Sequence, residues 1–490
     1  MRRDNIEIYK LLIIIIFIAG ISAIFLVQFA TPTLYGTDGY LHIRMAQFLR
    51  DLGPHYKFHW TKYSIFYDKF SDKDFLYHLL LIPFTWCKDI FFGAKIAAAF
   101  FASSLFLVFF FLLNKYADNR VHLFFMLAFF FSASFLHGIS LARPMTLVIL
   151  IILLSTHFAI LQKHAWVFLL SIAYSLVHVT GPIIIIYIAI VECVRYKEKG
   201  LFNSKTVLAA ILGVIVGFLI HPNFPNNLTV FYLNAILVPV HSLTGNKIGI
   251  GAEFMPLDTR QVILNYPVVL LGVVFMMYIA FFKSVETRFH TRVFFIVSLP
   301  FFIISFVSKR YAWHSYPFML VAFACLFSDY LRTYPRDRLR SNILLMIISI
   351  VLILNSVLCF KKHIEFDSAL NKHFEFFGFN MKHAIPKGET VFHSAWSDSQ
   401  YFIGLNPDND YMVTLDPIYM HEKDPYLYKI YRDLSFGRVS DPYDILQNVF
   451  GLRYGYVNKK WRRLLYDQIR VDSRFEIIFE DRLGAIFKLS

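Results

Sequence analysis

Residues 36–46, GTDGYLHIRMA, decide how this chain is read. They come shortly after an apolar run, residues 11–27, that carries no small-residue cleavage signature beyond it. The run exceeds the roughly 7 to 15 residues of a signal-peptide core, so it reads as a retained membrane anchor. The polar stretch behind it then leaves the bilayer with an acid, Asp38, at the water boundary. Residues 36–53 continue as a helix pattern with Leu41, Met45, Phe48, Leu49 and Leu52 on one face.

Working outward, composition agrees with a membrane setting. Hydrophobic residues make up 57% of 490 and charged residues only 17%, which excludes an ordinary soluble multidomain protein. The formal charge of +14 could suit nucleic acid, but its placement argues otherwise. Basic residues collect between apolar spans, at Lys115/Arg120, Lys163, Arg195/Lys197/Lys199/Lys205, Lys283/Arg288/Arg292 and Arg332/Arg336/Arg338/Arg340. That is a positive-inside pattern, and no nucleic-acid partner is expected. Cys87, Cys193, Cys325 and Cys359 have no CxxC spacing and suggest neither disulfides nor a zinc site.

Eleven crossings are expected, near residues 10–28, 95–114, 122–138, 144–161, 165–180, 182–196, 206–220, 267–283, 292–308, 313–331 and 342–359. With the N-terminus in the cytoplasm, the basic loops fall inside, and connectors 139–143, 221–266 and 309–312 fall outside. Residues 75–92 contain His78, Pro83, Lys88 and Asp89, and read as an amphipathic helix at the outer interface rather than a twelfth span. The expected organisation is a transmembrane domain over 1–360, with external loops 29–94 and 221–266, and an extracytoplasmic α/β domain over 361–490. Expected strands of that domain are 390–393, 411–415, 454–457, 475–479 and 484–488, with helices near 424–435, 443–450 and 459–468.

This topology puts Asp38, Glu253 and Arg310 on one side of the membrane, which suggests a catalytic face whose three members share a pocket. Asp38 suits a helix N-cap, and equally a carboxylate that holds a divalent ion or accepts a proton. Lys309 and Arg310 could merely snorkel to headgroups, yet they sit on the side that should avoid positive charge. Asp72 and Asp74 suit either a helix start or a metal. Arg143, before Pro144, suits an interfacial anchor or a phosphate contact. His42, His78, His178, His221 and His314 lie near external membrane ends without a metal-ligand spacing, and read as polar interface residues.

The order of apolar span and then G-x-D-G-Y-x-H-x-R-M-A resembles the polytopic GT-C glycosyltransferases, and among them the catalytic subunits of oligosaccharyltransferases. That resemblance implies transfer of a sugar or oligosaccharide from a polyprenyl-phosphate or polyprenyl-diphosphate carrier to an acceptor on the external face, with inversion. It implies that Asp38 is a catalytic acid working with a divalent ion, Mg or Mn. It points to Glu253, in Gly249-Ile250-Gly251-Ala252-Glu253-Phe254-Met255-Pro256, as a second catalytic acid. Arg310, with Lys309 and Arg143, would bind the carrier phosphate, because planar guanidinium donors match phosphate oxygens. Trp396 and Asp398, in Ala395-Trp396-Ser397-Asp398-Ser399-Gln400-Tyr401, are similar to part of the WWDYG acceptor motif.

The chain departs from that family in one place. The short loop His137–Pro144 lacks the expected acid pair, and Asp72 and Asp74 would have to substitute. Metal ligands would then be Asp38, Asp72, Asp74 and Glu253. Partners implied are a lipid-linked donor, membrane lipids and an acceptor protein or glycan. Competing readings are a transporter or flippase of lipid-linked sugars and a non-catalytic membrane assembly protein. A transporter, however, usually places ionisable groups or broken helices at mid-membrane.

Overall fold

A computed structural model describes residues 3–245, 248–335 and 338–490. Arg336 lies outside the described residues, as do the side chains of Arg120, Arg338 and Arg340. The chain divides into two compact units. The first comprises Met1–Pro32, Lys95–Ile220 and Ala252–Phe366; the second comprises Thr33–Ala94, His221–Gly251 and Asp367–Ser490. Segments 33–94 and 221–251 thus join the C-terminal residues in one unit.

The first unit is helical. Each of the eleven expected intervals holds a helix: Arg3–Gln28, Ile90–Tyr116, the pair Asn119–Ala128 and Ala133–Ser140, Met145–Ile160, His164–Val177, Ile183–Lys199, Ser204–Leu219, Pro267–Phe282, Phe289–Ser305, Arg310–Thr333 and Arg338–Ala384. By length and composition three helices can cross a membrane alone, at Leu11–Gln28, Ile90–Tyr116 and Leu344–Ala384. The pair Val121–Ala128 and Ala133–Ser140 bends by 67°. Ser132 starts the second half by accepting from the Phe135 amide, the usual repair for an unpaired helix N-terminus.

Small residues let these helices approach. At Gly213 a Cβ would lie 2.5 Å from the Phe168 carbonyl, so helices His164–Val177 and Ser204–Leu219 approach backbone to backbone. Two basic residues at helix ends are neutralised within the fold. Arg195 donates to Glu192 at 3.0 Å, and Arg288 pairs with the buried Asp329.

The second unit holds a five-stranded sheet of β1 (Thr390–His393), β2 (Asp410–Tyr411), β3 (Tyr454–Asn458), β4 (Phe475–Glu480) and β5 (Gly484–Leu489). The order is β2-β1-β3-β5-β4, with β1 parallel to β2 and β3, and β5 antiparallel to β3 and β4. Asp481 Oδ1 accepts from the Leu483 and Gly484 amides and closes the β4–β5 turn. β2 is shorter than its apolar run because the chain leaves the ladder after Tyr411, and Leu415 adopts φ 66. Its outer edge is covered: Tyr411 N donates to Trp60 O at 2.7 Å, and Thr61 bridges Tyr411.

Residues 75–92 form a helix, Phe75–Leu81, and a 3-10 turn, Ile82–Trp86. Together these are too short to span a bilayer, for which roughly 20 residues are needed. Trp86 is exposed and His78 is buried. The helix Asp38–Leu52 buries Leu41, Met45, Phe48 and Leu49 as expected, while Leu52, its last residue, is exposed. It packs on helix Asp398–Leu405 through Gly404, where a Cβ would lie 2.7 Å from the Tyr40 backbone carbonyl.

Candidate functional site

In the first unit, Glu253 gathers two arginines. It sits on a 3-10 turn, Ala252–Phe254, that is pinned to the connection between helices Phe289–Ser305 and Arg310–Thr333. The Ser308 hydroxyl donates to Glu253 O at 3.3 Å, Lys309 N donates to Met255 O at 2.9 Å, and Leu257 N to Ser305 O at 3.2 Å. This brings the carboxylate to the start of the later helix, where Arg310 is the first residue. Arg310 Nη1 lies 3.3 Å from Glu253 Oε1, and Arg143 Nη1 donates to Glu253 Oε2 at 3.2 Å. Arg143 comes from the tight turn between helices Ala133–Ser140 and Met145–Ile160.

The two guanidiniums are supported from behind. Arg143 stands over the Trp313 ring at 5.6 Å and Arg310 over Phe254 at 5.4 Å. Arg310 Nη2 also donates to His178 Nε2 at 3.2 Å. On the far side of the ring, His178 Nδ1 lies 2.7 Å from Thr180 Oγ1 and accepts from the Thr180 amide at 3.2 Å. His178 terminates helix His164–Val177 and is buried. Both arginine side chains are 20% exposed and Glu253 30%, so this group of two positive charges and one negative stays open to a ligand. Net positive charge on planar, partly exposed guanidiniums suits an oxyanion. Lys309 enters this region through its backbone amide.

In the second unit, Asp38 is the first residue of its helix and is half-buried. The Thr37 hydroxyl bridges Asp38 Oδ1 at 2.9 Å and Gln400 Oε1 at 2.8 Å. Gly36 adopts φ 64, its amide donates to Asp367 Oδ2 at 3.0 Å, and its carbonyl accepts from Asn371 Nδ2 at 3.2 Å. The loop that carries the acid is therefore fixed by three side chains of the C-terminal segment.

A second acid in this unit forms a chain with histidines. Asp72 Oδ1 and Oδ2 lie 2.8 and 2.7 Å from His78 Nδ1, and His78 Nε2 lies 2.8 Å from His42 Nδ1. All three are buried. Asp72 is held by its backbone as well, its carbonyl accepting from His221 Nε2 at 3.0 Å. Asp74 stands at the start of helix Phe75–Leu81 without capping it through its side chain; its amide donates to Asp72 Oδ1 at 3.1 Å.

Trp396 donates from Nε1 to Gly249 O at 3.1 Å. Asp398 is 1% exposed, and burial pushes its carboxyl up to about 7, with the Arg462 charge pulling it part-way back. This acid lies beneath the surface at the start of helix Asp398–Leu405.

The acids considered as metal ligands are each engaged within their own unit. Glu253 has an arginine on each oxygen, and Asp72 presents both oxygens to His78. Among the described residues, neither unit gathers three His, Cys, Asp or Glu ligand atoms around Asp38, Asp72, Asp74 or Glu253.

The histidines His42, His78 and His178 were not legible as site members, because their partners are Asp72 and Arg310 and no local spacing announces either pairing.

No protein-family model matches the sequence, and no curated protein matches it. Solved structures do. ArnT from Cupriavidus metallidurans bound to undecaprenyl phosphate matches with a TM-score of 0.59 at 11% identity, covering 97% of each chain. The fold is that of the GT-C membrane glycosyltransferases. The apo state of the same protein matches at 0.58 with 10% identity and 97% of each chain. The arabinofuranosyltransferase AftD from Mycobacteria matches at 0.53 with 12% identity over 97% of this chain and 40% of that one.

Proposed function

We propose that this chain is a membrane glycosyltransferase. It moves a sugar or oligosaccharide from a polyprenyl-phosphate or polyprenyl-diphosphate carrier to an acceptor on the external face of the membrane. The observation that carries this reading is the pair of partly exposed guanidiniums, Arg143 and Arg310, fixed on the two oxygens of Glu253. The likeness to a structure solved with undecaprenyl phosphate supports the same ligand class.

In this reading an acceptor nucleophile attacks the anomeric carbon while its proton passes to the Asp38 carboxylate. The bond from that carbon to the phosphate oxygen breaks, and its electron pair stays on the phosphate. Arg310 and Arg143 stabilise the charge that develops there, and Lys309 adds to the positive field. Glu253 acts by holding both arginines in position. One direct displacement inverts the anomeric centre and needs no covalent glycosyl-enzyme. Trp396 offers an acceptor an aromatic face beside a small helix; an acceptor contact with Asp398 would require the surface above that acid to open. A divalent ion, if required, would supply additional phosphate neutralisation.

The proposed topology is eleven crossings with the N-terminus in the cytoplasm and the C-terminal residues outside. The test is transfer in proteoliposomes by the full chain, with synthetic polyprenyl-phosphate sugars and mass spectrometry of the released carrier. Release that is lost in Arg310→Ala supports the reading. No release from any carrier-linked sugar tried, by a protein that is folded and inserted, would favour an assembly role instead.

A further inference from the structure

We propose that His241, His421 and Glu422 form a binding site for one divalent transition ion of the zinc class. Each offers one ligand atom, and the three atoms lie within 4.8 Å of one another. The two imidazole rings meet at 5.7 Å between centroids with 73° between their planes, and His421 Nδ1 lies 2.8 Å from Glu422 Oε1. Ligands around a tetrahedral zinc stand roughly 3.3 Å apart, given bonds near 2.0 to 2.1 Å. Closing from the observed spread asks for about 1.5 Å of movement, which rotation of partly exposed side chains supplies without moving the backbone.

The supporting segments are already fixed. His241 lies on helix Val238–Leu243 and His421 ends helix Ile418–His421. Asn234 Nδ2 donates to the Tyr419 hydroxyl, and the Tyr428 hydroxyl donates to Ile248 O, so the two segments are tied on both sides of the ligands. The Tyr428 ring rests 5.7 Å from His421. The adjacent ammonium of Lys423 is engaged elsewhere, 2.8 Å from Asp68 Oδ2, and does not compete for Glu422.

Two imidazoles and one carboxylate favour zinc, nickel or copper over magnesium or manganese. Three protein ligands leave a fourth position for water. The ion would clip segment His221–Gly251 to the C-terminal residues of the same unit. It is separate from the acids considered above and does not depend on the glycosyltransferase reading.

The test uses tag-free, chelator-treated full-length protein in detergent, titrated with cobalt and then zinc. One equivalent of cobalt should bind with the strong visible bands of a tetrahedral site, and zinc should bleach them. Zinc should also raise the melting temperature, since an ion that binds only the folded state stabilises it by mass action. His241→Ala and His421→Ala should each weaken binding at least tenfold, while His55→Ala, an exposed histidine elsewhere, should leave it unchanged. His421→Gln and Glu422→Gln, which preserve size, should show the same direction and so keep the test valid if an alanine variant fails to fold. Absent cobalt bands, or an unchanged affinity in the His241/His421 double variant, overturns the proposal.

Discussion

Arg310 and Glu253 face each other with Nη1 and Oε1 3.3 Å apart, although 57 positions separate them in sequence. One guanidinium is thereby oriented by a carboxylate, a histidine and an aromatic ring at once. Such preorganisation means little rearrangement is needed when an oxyanion arrives.

Replacing Arg310 with alanine should lower kcat/KM for a carrier-linked sugar about 10²- to 10³-fold. Arg310→Lys should recover only part of this, because a point ammonium cannot reproduce two parallel donors. Steady-state transfer in proteoliposomes measures both, and equal rates for all three proteins would remove Arg310 from the site.

Glu253→Gln keeps the size of the side chain and loses the charge that holds Arg143 and Arg310. The expected effect is roughly a tenfold fall in kcat/KM. Its combination with Arg143→Ala should cost less than the sum of the two, since both changes release the same contact. Strict additivity in that double-mutant cycle would show that the pair acts independently.

Asp38→Ala should reduce turnover about 10²- to 10⁴-fold, the range of a general base, with donor affinity and melting temperature unchanged. Thr37→Ala should give a smaller loss, because its hydroxyl orients the carboxylate rather than reacting. Full activity of Asp38→Ala would sink the proposed mechanism.

Much of this was legible beforehand, for identifiable reasons. β1, β3, β4 and β5 alternate or run apolar between turn residues, and the strands lie within a residue of the expected limits. The helix Arg338–Ala384 was not fully legible. Its expected span ends at 359 because Lys361, Lys362 and Glu365 end the apolar run, yet no proline interrupts the helix until Pro386. Hydropathy reports the surroundings of a helix and not its length. The contacts of Asp38 with Gln400, through Thr37, and of Arg310 with His178 arise from tertiary packing, which no local period encodes.

Buried Asp398 predicts a pH dependence of stability. An unfolded aspartate titrates near 3.9, whereas burial holds this one at about 7, so between those values the folded state binds more protons. Stability should therefore be unpenalised below pH 4, fall as pH rises towards 7 and level off above it, by on the order of a few kcal/mol. Asp398→Asn should lack that decline and exceed the parent in stability at pH 8. Parallel denaturant titrations at pH 5 and pH 8 decide it.

Gly404→Ala should destabilise the chain by about 1 to 3 kcal/mol, because the added methyl meets the backbone of Tyr40 and no side chain can swing aside. Thermal unfolding measures the loss.

The fixing of Gly36 and Thr37 by Asp367, Asn371 and Gln400 also sets an order in time. A ribosome finishes the loop around Asp38 more than 300 residues before it makes those partners. The nascent chain therefore carries the acid without its restraints for most of synthesis. A product cut short before residue 367 would keep Asp38 and lose all three of the side chains that fix its loop.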